Sequence, residues 1–364
     1  MADYGLSELQ GGGEFPAPAL NYLPPEPQGT KPKIGLIGAG GIAEYHLRAY
    51  QALGLDVVAI SDIDLNRAGE RAREFYPDAF VTDDPKAIID REEISVVDLA
   101  LHPEHRTPLL RECILAGKHI LSQKPFVTDL DVGADLVKLA EENQVKLAVN
   151  QNGRWAPHFA YCRKAIEAGL IGEVGSIDFN LHFDHTWTAN TPFEEIHHLL
   201  LYDFGIHWFD ISRAFLPGKK CKSVYASVQR NSWQTIKPPF LAQVIADFEG
   251  VQVRINLNAH VQFGQQDTTT ICGSKGTLRA IGPGLNEQTV HLWTEDGYAS
   301  PHLKGCWFEN GFEGTMGELL QAIEQNRDPN NNAKDNLESL SFCFAAMHSA
   351  DTGNPQHPGS LKSI

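Results

Sequence analysis

The stretch KIGLIGAGGIA, running from Lys33 to Ala43, decides how the rest of the chain is read. Ile34, Leu36 and Ile37 form a short apolar run that stops at Gly38, Ala39, Gly40, Gly41, Ile42 and Ala43, the pattern of a buried strand turning directly into a helix. Gly38 permits a tight turn, and Gly40 lets backbone N–H groups approach a pyrophosphate with no Cβ between. Ala43 is small enough for close packing of helix on strand. Gly41 and Ile42 open the helix, whose N-terminus offers partial positive charge to phosphates. A second apolar run, Val57 to Ile60, leads to Asp62, about 20 residues beyond the glycines, where an acid accepts adenosine ribose hydroxyls. Asp64 is the alternative, further into the loop. A carboxylate at this place repels a ribose phosphate, so NAD is expected over NADP, with Arg67 nearby keeping the second cofactor open.

Outward from this centre, strands and helices alternate. A helix is expected from Ala43 to near Leu53 and another over residues 65–75, then a short strand at Phe80 and Val81 and a short helix at 85–90. Ile94 to Leu101 is nearly continuous in apolar residues, which suits a parallel strand covered on both faces. After the loop Leu101, His102, Pro103, Glu104, His105, Arg106, Thr107 and Pro108 come a helical stretch to Gly117 and a strand His119 to Ser122 that runs into Gln123, Lys124 and Pro125. A helix from Val127 to Asn143 and a strand Val145 to Asn150 follow. The class is α/β, a doubly wound parallel sheet over residues 31–150. Open sheets of this kind bind ligands at the carboxyl ends of their strands. His102, Pro103, His105 and Lys124 are therefore expected to face the cofactor.

Beyond Asn150 the rhythm changes. One helix is expected from Pro157 to Ala168, then strands at 173–183, 221–230, 240–248, 251–263, 267–272, 276–281 and 289–293. Alternation such as Val251, Val253, Ile255 and Leu257, with Glu249 and Gly250 as a turn, describes a large, mostly antiparallel sheet. A helix interrupts it around Leu200 to Phe215, and two more close the chain near 314–325 and 334–350. Residues 151–364 thus read as an α+β domain for substrate binding and oligomerisation, with the last helix free to pack back on the first domain. Residues 1–30, rich in Gly and Pro, cannot build a core. They read either as a disordered tail or as an extended arm over a neighbouring subunit or the cofactor, with Phe15, Leu20, Tyr22 and Leu23 to bury.

The formal charge of -16 repels phosphate backbones, and no basic run reverses it locally, so nucleic acid is excluded as a partner. No stretch is long and apolar enough for a bilayer, and the N-terminus has no signal-peptide pattern. Six scattered cysteines with no CxxC spacing suggest reduced thiols and a cytoplasmic protein.

Asp203 and His207 stand four apart on the interrupting helix and so share a face, where a carboxylate can orient an imidazole that collects a hydroxyl proton. Histidines and acids are dense here: His182, Asp184, His185, His197, His198 and His207. Their spacing matches no zinc motif, and adjacent histidines on a helix point apart, so no metal is expected.

Taken together, Gly38, Gly40, Ala43, Asp62, Pro103, Lys124, Pro125, Asp203, Gly205, His207 and Asp210 resemble the Gfo/Idh/MocA family of nicotinamide-dependent sugar and polyol oxidoreductases over about residues 31–354. The resemblance implies a Rossmann domain followed by an α/β domain whose open sheet forms a homo-oligomer interface. It implies that Lys124 lies near the nicotinamide and the reacting carbon, that His207 is the acid/base, and that Asp203 holds substrate or orients the histidine. Two positions depart from the family: Gln123 stands where Glu is usual, and Thr107 where many members carry histidine.

Asn152, Arg154, Trp155, His158, His182, Asp184 and Trp187 fall where the second domain should line a substrate cleft; aromatic faces and hydrogen-bonding groups together suit a carbohydrate. Trp307 and Phe308 are weaker candidates. The expected activity is hydride transfer between a secondary hydroxyl of a sugar, polyol or glycoside and NAD. The alternatives are a redox glycosidase or a glucose-fructose-oxidoreductase-like enzyme that retains NAD, and, from another class, a regulatory protein that binds dinucleotide without catalysis.

Overall fold

The structure, a computed structural model, describes residues 12–29 and 31–364; the start of the expected arm, residues 1–11, lies outside the described residues, as does residue 30. The first half is built from β1 (Lys33–Ile37), α1 (Ala43–Ala52), β2 (Asp56–Ser61), α2 (Leu65–Phe75), β3 (Phe80–Thr82), α3 (Lys86–Ile89), β4 (Ile94–Leu99), α4 (Pro103–Leu115), β5 (His119–Ser122), α5 (Leu130–Glu142) and β6 (Leu147–Val149). Its six strands pair in parallel in the order β3-β2-β1-β4-β5-β6. The order reverses between β1 and β4, and a crevice opens at that switch point beyond the strand ends. Gly38 ends β1 with φ +98, and a Cβ there would stand 2.6 Å from the Ala100 carbonyl oxygen, so the turn admits glycine alone.

The second half comprises α6 (Pro157–Glu167), β7 (Val174–His182), α7 (Ile206–Phe215), β8 (Cys221–Gln229), β9 (Leu241–Phe248), β10 (Val251–Asn258), β11 (Gln266–Gly273), β12 (Gly276–Gly284), β13 (Glu287–Thr294), β14 (Gly297–Ala299), α8 (Trp307–Glu324) and α9 (Ala333–Thr352). Eight strands form one sheet in the order β14-β13-β12-β11-β7-β10-β9-β8, antiparallel except where β10 meets β7. Inner-face residues of β7, Ile177, Phe179 and Leu181, are buried with Val253, Ile255 and Leu257 of β10 against the helices. The α/β plus α+β architecture expected from the sequence is the one observed.

Three details differ from the sequence reading. The interrupting helix is not continuous: Leu200–Phe204 is π-helical, with the Gly205 N–H donating to the Leu200 carbonyl at 2.9 Å, and α7 begins only at Ile206. A Cβ on Gly205 would meet the Leu201 carbonyl oxygen at 2.7 Å, so the bulge requires glycine. Helix α8 starts seven residues earlier than expected and sends Phe312, Met316, Leu319 and Leu320 into the core under α1 and β1, while α9 lies against α5 and β6. The arm, in its described part, neither hangs free nor reaches for the cofactor. It lies on its own chain, with the Phe15 N–H donating to the Tyr298 carbonyl, Tyr22 edge-on to Tyr161, and Gln28 and Gly29 N–H groups donating to the Glu324 carboxylate. Among the described residues no helix is long and apolar enough to cross a membrane.

Candidate active site

A cavity of about 1510 Å³ runs from the glycine turn to the inner sheet. Pockets for a single small ligand hold roughly 300–1,000 Å³, so this one has room for a dinucleotide and a second molecule. Gly38, Gly40, Gly41 and Ile42 line it, and a Cβ on Gly40 or Gly41 would meet nothing within 4 Å and would project into the open space. The start of α1 has no side-chain cap; the Ala43 and Tyr45 N–H groups turn to the Gly40 and Ile42 carbonyls, which leaves those of Gly41 and Ile42, just ahead of the helix, for an anion. Asp62 is 8% exposed and lines the cavity; its two oxygens accept from Ala39 N at 2.7 Å and Asp64 N at 2.9 Å, which fixes the carboxylate beside the glycine loop. Each oxygen keeps a lone pair for a ribose hydroxyl. Asp64 instead caps α2 through Asn66 N and Arg67 N, and Arg67 stands 3.8 Å from Asp62. This cradle fits the adenosine and pyrophosphate parts of NAD.

Lys124 reaches into the same space. Its Nζ donates to the Asp203 carbonyl at 2.7 Å and to Asp203 Oδ1 at 3.2 Å, joining the end of β5 to the π-helical bulge. The loop that carries it is pinned by the fully buried Arg106, which donates to the carbonyls of Leu101, Pro125 and Phe126. Gln123 does not approach the ammonium. Its Oε1 accepts the Lys124 N–H at 2.6 Å and its Nε2 lies 3.3 Å from His46 Nε2, whose Nδ1 is 2.7 Å from the buried Asp98. With Nδ1 turned to Asp98, His46 presents Nε2 to the Gln123 amide, whose N–H groups a Glu at position 123 would lack.

His207 also lines the cavity, yet the expected Asp203–His207 pair is not made: Asp203 is taken by Lys124, and among the described residues His207 Nδ1 has no partner. The π-helical turn inserts an extra residue per turn and removes the plain four-residue relation on which the pairing rested. Burial, reinforced by the Lys124 charge, pushes the imidazole well below its usual value, so it is neutral at neutral pH. Trp307 meets it edge-on at 5.5 Å.

Of the other residues expected here, His102, His105, Asn152, His182, Asp184 and Trp187 line the cavity. Trp187 is 59% exposed at its rim and packs on His185 and Phe193. Pro103, Arg154, Trp155 and His158 do not line it. Pro103 is the buried first residue of α4, whose fixed φ starts the helix. Arg154 is consumed by ion pairs to Asp210 at 2.6 Å and Asp335 at 2.8 Å. Trp155 is buried against Gly314, where a Cβ would overlap its ring, and His158 is sealed inside with its value pushed down by burial to about 3. All four side chains are held in the core. Thr107 turns back to the Pro103 carbonyl at 2.8 Å. His197 and His198 both bond Asp351, at 3.1 and 2.8 Å. They sit on a loop, His198 with φ +52, so the helical argument that adjacent histidines diverge does not hold there.

Several lining residues escaped the sequence reading. Tyr45 of α1 packs on Phe308 and Phe312 of α8, with centroids 4.7 and 5.9 Å away, roofing the glycine turn. His185, named from the sequence only among the histidines and acids weighed for a metal, is pushed down by burial to about 4 and packs on Phe204 with ring centroids 5.0 Å apart. Asp267 enters from β11. Only their three-dimensional neighbours distinguish them.

Residues 32–151 match the family model described as "Oxidoreductase family, NAD-binding Rossmann fold", and residues 159–279 match "GFO/IDH/MocA C-terminal domain". The chain belongs to the Gfo/Idh/MocA oxidoreductases. It is similar to inositol 2-dehydrogenase of Rhizobium meliloti strain 1021, 26% identical over 87% of this chain and 96% of that one. It is also similar to D-apiose dehydrogenase of Paraburkholderia graminis, 26% identical over 91% of each. Among solved structures, an oxidoreductase from Agrobacterium radiobacter in complex with NAD+, L-tartaric acid and magnesium superposes with TM-score 0.83 at 21% identity, over 91% of this chain and 99% of that one. As a member of this family the chain is an NAD-dependent oxidoreductase.

Proposed function

We propose that this protein takes hydride from a secondary hydroxyl of a sugar, polyol or glycoside. The observation that carries the reading is the arrival of Lys124, from the dinucleotide half, and His207, from the other half, at one cavity continuous with the glycine turn. NAD, when bound, supplies the hydride acceptor. The neutral His207 imidazole collects the hydroxyl proton as the carbon–hydrogen bond breaks. The Lys124 ammonium steadies the oxygen as charge gathers on it, and Asp203 holds that ammonium in place. Asn152, His182 and Asp184 offer hydrogen bonds to the remaining hydroxyls, and Trp187, Phe193 and Trp307 offer apolar faces to ring C–H groups. The similarity to inositol and D-apiose dehydrogenases supports a polyhydroxylated substrate. This division makes residues 31–150 the cofactor domain and 151–364 the substrate domain.

The outer face of the eight-stranded sheet carries Tyr225 and Ile245 side by side, 43% and 46% exposed. We place a homo-oligomer interface there. All six cysteines are free thiols and three are buried, which suits a reducing, cytoplasmic setting.

The test is the appearance of reduced nicotinamide when the protein is offered inositol, D-apiose, a free hexose and its aryl glycoside with NAD or with NADP. Net reduction of NAD by at least one neutral polyol is expected, with NADP the poorer cofactor because of Asp62. Aglycone release without net reduction would replace this reading with the redox glycosidase. Tight NAD binding with no chemistry on any carbohydrate would favour the regulatory reading.

A further inference from the structure

Asp267 stands in the first rungs of β11 and lines the cavity, yet the chemistry above does not use it. It is 4% exposed, and among the described residues neither carboxylate oxygen has a hydrogen-bond partner. The strand ladder explains why. Asp267 lies opposite Leu181 on β7 and opposite Gly282 on β12, and residues directly opposite one another share a sheet face. Leu181 has nothing to donate. Gly282 has no side chain and tolerates none, since a Cβ there would stand 1.7 Å from the Glu287 carbonyl oxygen. The carboxylate is therefore flanked by two positions that cannot answer it, its oxygens are closed off from solvent, and the residue that carries them borders the cavity.

A buried acid without a donor destabilises the fold that carries it. Burial alone pushes this one up to about 7, with no charged neighbour contributing. The substrate half of the cavity deepens the contrast: Asp184, Asp203, Asp267 and Glu287 line it against a single lysine, Lys124, which Asp203 already holds. Carboxylate or phosphate groups on a substrate would be repelled there, whereas hydroxyls bring the donors that are missing. Two acceptor oxygens on one carbon match the two O–H groups of a vicinal diol.

We propose that Asp267 is a specificity-determining residue whose carboxylate receives hydrogen bonds from two adjacent hydroxyls of the substrate, away from the reacting carbinol, and so selects neutral polyols over sugar acids. The proposal rests on the dehydrogenase reading for its substrate class, but its binding step stands apart from the chemistry.

The test compares the full-length wild type with Asp267→Leu and Asp267→Asn, each saturated with NADH. Calorimetry follows the binding of inositol, D-apiose, a monodeoxy analogue, a hexuronate and an amino sugar; turnover with NAD and the melting temperature are measured in parallel. The expected result is unchanged NADH affinity and a raised melting temperature in both variants. Polyol affinity should fall at least ten-fold in the Leu variant and less in the Asn variant, which keeps one acceptor. The rise in KM should exceed the fall in kcat. Equal polyol affinity in the Leu variant, tighter wild-type binding of the hexuronate than of inositol, or no binding of any neutral polyol would overturn the proposal. So would a preference for the amino sugar over its hydroxyl counterpart, or a lowered melting temperature in both variants. Polyol binding that depends on Asp267 without any turnover would support this subsite and defeat the dehydrogenase reading; turnover untouched by the Leu substitution would do the reverse.

Discussion

Lys124 is the residue on which most constraints converge: Arg106 fixes its loop, Gln123 takes its N–H, and Asp203 takes its ammonium. His207 is constrained differently, by burial, which holds it neutral. Replacing His207 by Ala should lower kcat with a polyol by about 10²–10⁴-fold while leaving NAD affinity, read by fluorescence quenching, unchanged. Because the folded value lies below the ordinary one, no loss of kcat/KM from this imidazole is expected between neutral and mildly acidic pH. For the same reason His207 contributes stability that is lost as pH falls below the usual histidine range. Asp267 behaves in the opposite sense. Between about 4, the ordinary aspartate value, and about 7, the folded chain holds a proton that the unfolded chain has released, so stability falls as pH rises. Asp267→Asn removes that fall. It should raise stability at pH 8 by up to the order of 4 kcal/mol, with little gain near pH 4, as chemical denaturation at the two pH values would read. The glycine turn was legible in the sequence because it obeys a spacing rule along the chain, and Lys124 because it follows the carboxyl end of a recognisable strand. Arg154 and Trp155 misled because nothing in their neighbourhood along the chain reveals Asp210, Asp335 and Gly314, which claim them from far away.

Among the elements, the strands were the most legible. Alternation marks β9 and β10 within a residue or two at the turn between them, whereas the three-residue β14 leaves no period to detect. The π-helical bulge was invisible, since its apolar pattern matches that of an α-helix and only the crowding of carbonyls on Gly205 betrays it. Gly205→Ala should cost roughly 1–3 kcal/mol by forcing the bulge to shift. It should also reduce turnover more than NAD binding, because Asp203 sits on that bulge and holds Lys124 from it. Denaturant unfolding beside steady-state kinetics would check both parts. The start of α8 escaped for another reason: Gly311 and Gly314 dilute the helical signal, yet they let the helix close on Asn152 and Trp155, where a Cβ would collide.

For the whole molecule, the division into a parallel and a mostly antiparallel sheet was legible, and the binding of the two halves to each other was not. Helix α8 supplies part of the core beneath α1, and its Phe308 and Phe312 meet Tyr45 above the glycine turn, so the two sheets share one cavity wall. The described arm clasps this helix: the Pro25 carbonyl lies against Gly317, and Glu324 accepts from Gln28 and Gly29. Removing the chain up to Gln28 should therefore lower the melting temperature by several degrees and weaken NAD binding less than it weakens the fold, as a thermal scan with and without NAD would register.

The most direct measurement is a crystal structure of the protein with NADH and a neutral polyol that binds it. The carbinol oxygen should lie about 3 Å from both Lys124 Nζ and the His207 imidazole, with its carbon facing the nicotinamide ring. A polyol whose hydroxyls touch neither side chain, or a nicotinamide lodged away from Lys124, would contradict the mechanism.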